Sequence, residues 1–138
     1  MKITDVSVTL WEWQDIPPTR YTKTVASSGT RSTQMGLLRI RTDDGIEGHG
    51  LLGSAMGSAR YDAPYVVDAF KKMLVGQDPL NREHIWQSLM RRTRSHRMPV
   101  VGAIDVALWD LAGKAAGMPI HKLMGSFRDK IPAYASSA

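Results

Sequence analysis

An α+β fold, a three-stranded antiparallel meander followed by a helical bundle, is what these 138 residues predict. The first observation is a change of period. Apolar residues recur every second position up to about residue 52 and at helical spacing from about residue 65 onward. The second is Asp43-Asp44-Gly45, a tight-turn signal between two alternating runs, which joins them as a hairpin. The third is size: at 43% apolar and 22% charged, the chain suits one globular domain with a modest core and leaves no room for two large ones.

The first strand is expected over 2–11, with Thr4, Val6, Val8 and Leu10 on one face and Ile3, Asp5, Ser7 and Thr9 on the other. The second, 34–42, sets Gly36, Leu38 and Ile40 against Met35, Leu37, Arg39 and Arg41, and the third covers 46–52. Between the first two lies a polar stretch, about 14–32, holding Pro17, Pro18 and Gly29; loops of that length are functional or disordered. A second flexible stretch, 53–58, follows the third strand. Tyr65, Val66, Ala69, Phe70, Met73 and Leu74 then mark a helix that ends near Gly76. Asp78-Pro79 breaks the chain, and Asn81 is placed to cap a second helix carrying Ile85, Trp86, Leu89 and Met90. A third helix, about 99–116, carries the stripe Ile104, Ala107, Leu108, Leu111, Ala112 and Ala115, and Gly117 before Pro119 stops it. A short turn runs from Ile120 to Met124 and ends at Gly125; residues 131–138 read as a further strand, where another sheet should begin.

Composition excludes several classes of function. No run approaches the 18 apolar residues of a membrane span, and the first residues lack the apolar region of a signal peptide. With no cysteine there is neither a disulfide nor a thiolate site, and a cytoplasmic protein is the expectation. The formal charge is +5, but Arg91, Arg92, Arg94 and Arg97 supply four of those charges within seven residues. The chain is therefore near-neutral with one basic knot, which suits a solvated turn or a face meeting another domain. A nucleic-acid surface at 91–97 is the alternative, and it predicts affinity that falls steeply with salt.

Individual residues leave several readings open. His49 sits between Gly48 and Gly50, where the glycines permit close approach by some other group; the histidine is otherwise a half-exposed strand residue. Asp105 and Asp110 are five positions apart on one helix, about 140° around its axis, so they cannot share an ion and instead suit caps, backbone contacts or interface pairs. Arg20, Tyr21, Lys23 and Arg31 make the first loop basic, as a lid over an anionic ligand would be, or else a disordered surface loop. Trp11, Trp13, Trp86 and Trp109 suit a core or an interface. No phosphate-binding glycine loop, metal-spaced histidine pair or nucleophile elbow occurs, so spacing alone ends at an α+β domain with a basic lid.

The run Ala103-Ile104-Asp105-Val106-Ala107-Leu108-Trp109-Asp110-Leu111-Ala112-Gly113-Lys114, followed by Pro119-Ile120 and Leu123-Met124-Gly125, carries more. It resembles the N-terminal pattern of the mandelate racemase/muconate lactonizing enzyme family of the enolase superfamily. The meander, the long loop after strand one and the glycine-containing loop after strand three agree with that family's layout. Gly48-His49-Gly50 resembles the Gly-His-Ser of the mandelate racemase branch more than the Gly-Trp-Gly-Glu found elsewhere, in which Leu51 would be the glutamate.

The resemblance implies a two-part enzyme. Residues 1–125 would form an enolase N-terminal-like capping domain, and 126–138 would begin a (β/α)-barrel whose remainder is absent. With a barrel of about 250 residues the intact protein would reach roughly 390. It would abstract the proton α to a carboxylate of a hydroxy or sugar acid, as a racemase or dehydratase, with Mg²⁺ stabilising the enediolate. By the same resemblance Arg20, Tyr21 and Lys23 lie in the first lid loop, Leu52 and Met56 wall the second, and Ser136 lies near the substrate carboxylate. The metal ligands and catalytic groups would all lie in the barrel, so this chain holds none and should be inactive alone. The basic knot then suits contact with that barrel or with a neighbouring subunit, and a homo-oligomer is expected. A free-standing interaction module with a cap-like fold is the alternative, separated by the mass of the native protein.

Overall fold

The computed structural model describes residues 1–16, 31–54, 57–92 and 98–134. Strands β1 (Ile3–Ile16), β2 (Arg31–Thr42) and β3 (Glu47–Leu52) form one antiparallel sheet in the order β1-β2-β3. A 3-10 turn (Ala59–Tyr61) and a π-helical stretch (Tyr65–Phe70) lead into α1 (Lys71–Leu74). Then come α2 (Arg82–Met90), α3 (Met98–Ala115) and the short α4 (Ile120–Leu123). The expected meander and helices are the observed architecture. No helix among the described residues is long and apolar enough to cross a membrane.

The core lies between the sheet and α3. Leu38, Ile40 and Leu52 face Ile104, Ala107, Leu108 and Leu111, all at most 1% exposed, and Phe70, Leu74, Ile85 and Leu89 close the other side. β3 approaches α3 so closely because it presents glycine. A Cβ on Gly48 would run into the carbonyl oxygen of Ala107, and one on Gly50 into that of Ala103. The close approach that those glycines permit is therefore made by the backbone of α3.

Local rules predict several elements imperfectly. Alternation sets Ile3 opposite Val6, yet both are buried, because a register shift between Ile3 and Asp5 turns the strand by one position. Both long strands outrun their expected ends, β1 reaching Ile16 and β2 starting at Arg31. The helix expected from Tyr65 winds as a π-helix for its first six residues, where the Lys71 N–H bonds the Val66 carbonyl five residues back. Asn81 does occupy the N-cap of α2, but its side chain makes no capping bond; the Asp78 carboxylate instead accepts from the Leu80 N–H at 3.0 Å. Ala115 is exposed and Ala112 only partly buried, so the packed stripe of α3 ends at Leu111 and Gly113. Gly117 does stop α3, at φ +59°: its N–H bonds Lys114 and that of Met118 bonds Gly113, as in a Schellman cap.

The strand expected over 131–138 is absent over residues 131–134. These residues have no regular structure, and Ile131 and Tyr134 are 77% and 88% exposed, with no described strand alongside to pair with.

Candidate functional site

β3 pairs with β2 only over Gly36 to Arg41, whereas β1 and β2 stay paired as far as Ile16 and Arg31. The sheet thus narrows to a two-stranded arm from which the segment 17–30 departs. The second loop is pinned at the base of this arm. Ser54 and Gly57 exchange backbone hydrogen bonds of 2.7 and 3.3 Å, and the Ser54 hydroxyl accepts a third from the Gly57 N–H. Ser58 then accepts from the N–H groups of Gln34 and Arg60 through one hydroxyl, capping the 3-10 turn and tying it to β2. The described ends of this stretch, Ser54 and Gly57, are thus held together, while Met56 lies outside the described residues.

A cavity of about 260 Å³ opens at this junction, lined by Glu12, Thr33, Gln34, Ser58, Arg60 and Tyr61 together with Ser32. Its groups complement one another: Glu12 accepts, Arg60 donates, and the hydroxyls and the amide do both. Such a lining offers donors and acceptors that suit a hydroxylated ligand. None of its members is singled out by sequence reasoning, since they come from three separate elements. Among the proposed lid residues, Arg20, Tyr21, Lys23 and Met56 lie outside the described residues, as does Ser136. Leu52, expected as a wall, is a core residue at 1% exposure, because strand parity sets it on the same face as Gly48 and Gly50. Leu51, 62% exposed, faces outward instead.

A second cluster lies on the free edge of β3. The Asp110 carboxylate accepts from the His49 N–H at 2.9 Å and from Lys114 Nζ at 2.6 Å, while Lys114 donates to the Glu47 carbonyl at 2.7 Å. Two side chains of α3 therefore satisfy two edge groups that β2 cannot reach, which protects the edge. The His49 ring stands 3.4 Å from Asp110 and 3.5 Å from Glu47, whose carboxylate also pairs with Arg41 at 2.7 Å. Burial pushes the Asp110 carboxyl up, but the bonds from Lys114 and His49 outweigh it and hold the group below its ordinary value. The hydrogen bond from Arg41 likewise holds the Glu47 carboxyl low.

Asp105 pairs with Arg82 at 3.4 Å, and the Arg82 guanidinium lies 3.7 Å over the Trp109 ring, joining α2 to α3. Trp86 packs against the core, whereas Trp11 and Trp13 are exposed. Of the basic knot, Arg91 and Arg92 are exposed, Arg91 bonding Ser88, and Arg94, His96 and Arg97 lie outside the described residues. Among the described residues no three histidine or carboxylate groups converge as a metal would need. The carboxylates of Asp5, Glu47, Asp105 and Asp110 are each committed to a lysine or an arginine.

Comparison with known proteins adds to this geometry. A family model described as Mandelate racemase / muconate lactonizing enzyme, N-terminal domain, matches residues 7–125. A D-galactonate dehydratase family member from Streptomyces bingchenggensis is 36% identical over 126 residues, covering 85% of this chain and 30% of that protein. An enolase superfamily member from Polaromonas sp. superposes with a TM-score of 0.81 at 28% identity, over 99% of this chain and 36% of its own. D-glucarate dehydratase from Agrobacterium tumefaciens, solved with magnesium, gives a TM-score of 0.72 at 32% identity over 94% and 34%. The chain spans about a third of the length of these relatives.

Proposed function

Because this chain belongs to the mandelate racemase/muconate lactonizing enzyme family, as its N-terminal domain, we propose that it caps the active site of a sugar-acid dehydratase or racemase. On this reading residues 1–125 form the cap and 126–138 begin the barrel. The barrel abstracts the proton α to the substrate carboxylate, and the cap encloses the substrate and selects its far end. The single observation that carries this reading is the polar cavity at the base of both loops, at the end of the sheet where a lid would close.

Arg20, Tyr21, Lys23 and Met56 are proposed as lid residues, and Ser136 as a contact to the substrate carboxylate. Glu12, Arg60 and Tyr61 supply the base against which those loops close. Among the described residues no three histidine or carboxylate groups converge as a magnesium ion would need, and Asp5, Glu47, Asp105 and Asp110 are each held by a cation. We therefore assign both metal and proton transfer to the barrel, and the 138 residues alone should be inactive. What this domain contributes is exclusion of water and discrimination among hydroxylated acids.

The test is α-proton exchange in D₂O and dehydration to the keto acid, followed by NMR. The full-length protein would be incubated with Mg²⁺ and a panel of aldonic and aldaric acids. Exchange or dehydration of at least one acid is expected, with Arg60→Ala raising KM more than it lowers kcat. Absence of both reactions across the panel refutes the proposal.

A further inference from the structure

Helix α2 carries two neighbouring rows at a spacing of four. Ile85 and Leu89 form a buried row, and His84 and Ser88 form the row beside it. α1 ends against them with Leu74, and between the two helices lies a cavity of about 290 Å³. Its floor is apolar, made by Leu74, Ile85 and Leu89, all at most 3% exposed. Its rim is polar, made by Lys72, Gln77, His84 and Ser88, and none of its described lining side chains is acidic. Among the described residues, the Lys72 ammonium and the His84 ring have no hydrogen-bond or ion-pair partner, whereas the adjacent Lys71 is taken by Asp5 at 2.5 Å. The acids next to the rim in sequence are engaged elsewhere: Glu83 accepts from Gln87 at 2.9 Å, and Asp78 from the Leu80 N–H at 3.0 Å. Ser88 accepts from Arg91 at 3.1 Å, which leaves its own O–H to donate. The cavity sits where β1 begins, since Ile3 exchanges backbone bonds with Gly76 and Gln77. The polar cavity at Glu12 is roughly 30 Å further along that strand.

We propose that the cavity between α1 and α2 binds a small amphipathic anion, a carboxylate carried on an aryl or alkyl group. Each part of the lining selects one part of the ligand. Lys72 offers three N–H donors and no acceptor, and Gln77, His84 and Ser88 add further donors beside it. A carboxylate on Lys72 makes a charge-assisted bond there, with no acid in the lining to compete for the ammonium. The floor can exchange only apolar contact, so the tail gains by displacing water from it. Size fixes the tail. Benzene occupies an apolar cavity of about 150 Å³, so about 290 Å³ takes a ring with a short acid chain. A bare phosphate would engage the rim and leave the floor wet. A sugar acid would press hydroxyls against leucine and isoleucine without partners, at a cost in desolvation. The lining is thus the reverse of the Glu12 cavity, whose acid, base and hydroxyls suit a hydroxylated ligand. This inference does not rest on the reaction proposed above.

The experiment is isothermal titration calorimetry of the full-length protein, with Mg²⁺ present, using 3-phenylpropionate as the probe. Binding with a Kd of about 1 mM or tighter is expected. The uncharged 3-phenylpropionamide, of the same shape, should bind about tenfold more weakly or worse. The double variant Lys72→Ala/His84→Ala should weaken phenylpropionate binding by at least about tenfold. Both side chains are exposed, so the fold should persist, checked by circular dichroism. Failure of the wild type to bind, an amide that binds as well as the acid, or a Kd unchanged in the variant overturns the proposal. The last result would place the ligand elsewhere in the protein. Should the variant fail to fold, amide exchange of the wild type under saturating phenylpropionate decides the matter. Slower exchange over 72–90 supports the site, and slowing confined to other segments overturns it.

Discussion

Replacing Gly48 by alanine places a methyl group where the backbone of α3 already lies. The new carbon would overlap the Ala107 carbonyl and stand 2.7 Å from Leu111 Cγ, where ordinary contact begins at 3.4 Å. No flexible side chain can turn aside, so helix and strand must separate by roughly an ångström. α3 buries Val100, Val101, Ile104, Leu108 and Leu111 among others, and a rigid shift loosens all of them together. Overpacking a core costs typically 1–3 kcal/mol; with backbone as the obstacle we expect about 3 kcal/mol, a fall in Tm of roughly 10 °C for a chain of this size. Gly102 is the control. It lies in the same helix, and a methyl group added there would meet nothing within 4 Å. Gly102→Ala should therefore gain about 0.5–1 kcal/mol from helix propensity. Urea unfolding followed by circular dichroism measures both, compared at constant m. A Gly48→Ala midpoint matching wild type would refute the account of why β3 carries glycine, as would an equal loss in both variants.

Other perturbations read the remaining contacts. The Asp110 carboxyl titrates below its ordinary value of 3.8 in the folded chain, so its stabilisation is whole above that pH and is lost as pH falls through the folded-state value. Asp110→Asn should accordingly flatten the acid limb of a stability–pH curve, and parallel curves for the two proteins would contradict this. Arg82→Ala removes both the stacking on Trp109 and the pair with Asp105, an expected cost of about 1–2 kcal/mol in thermal melts; Arg82→Lys should recover only part, since an ammonium cannot lie flat on the ring. Ser58→Ala takes away the acceptor shared by Gln34 and Arg60, at about 1 kcal/mol. Faster amide exchange at Gln34 and Arg60 is the measurement that checks it.

The parts of the fold legible in the sequence are those that follow from one strand or helix at a time. Leu38 and Ile40 announce their buried face by alternation, and Ile104, Ala107, Leu108 and Leu111 by helical spacing. What escapes depends on a partner. Ile3 is buried through a register shift set by pairing with β2 and by its bonds to Gly76 and Gln77. Asn81 has the capping residue type but a backbone angle ψ of 43°, outside the extended region that directs a side chain back over its helix. Within the candidate site, the cavity joins residues from β1, β2 and the 3-10 turn, and no spacing rule connects Glu12 to Arg60. The family pattern at 103–125 is legible as a pattern, but the reason for its Asp110 and Lys114 lies some sixty residues upstream, on the β3 edge.

That reason bears on how such a domain can vary its specificity. The glycine pair of β3 and the Ala103–Leu111 face of α3 lock sheet to helix through backbone contact, and Asp110 with Lys114 seals the edge. Little can change there without separating the layers. The arm is different: past Gly36 no third strand among the described residues pairs with β2, the 3-10 turn meets it only at the base through Ser58 and the polar cavity, and Gln14 is exposed. A two-stranded ribbon is marginal by itself, so substitutions in it perturb few other contacts. The Ser58 hydroxyl is what couples the two regions, fixing the second loop to β2 where the ribbon leaves the sheet. Side chains around the polar cavity can therefore be exchanged with little effect on the packed layers, a division that the proposed role as a cap would use.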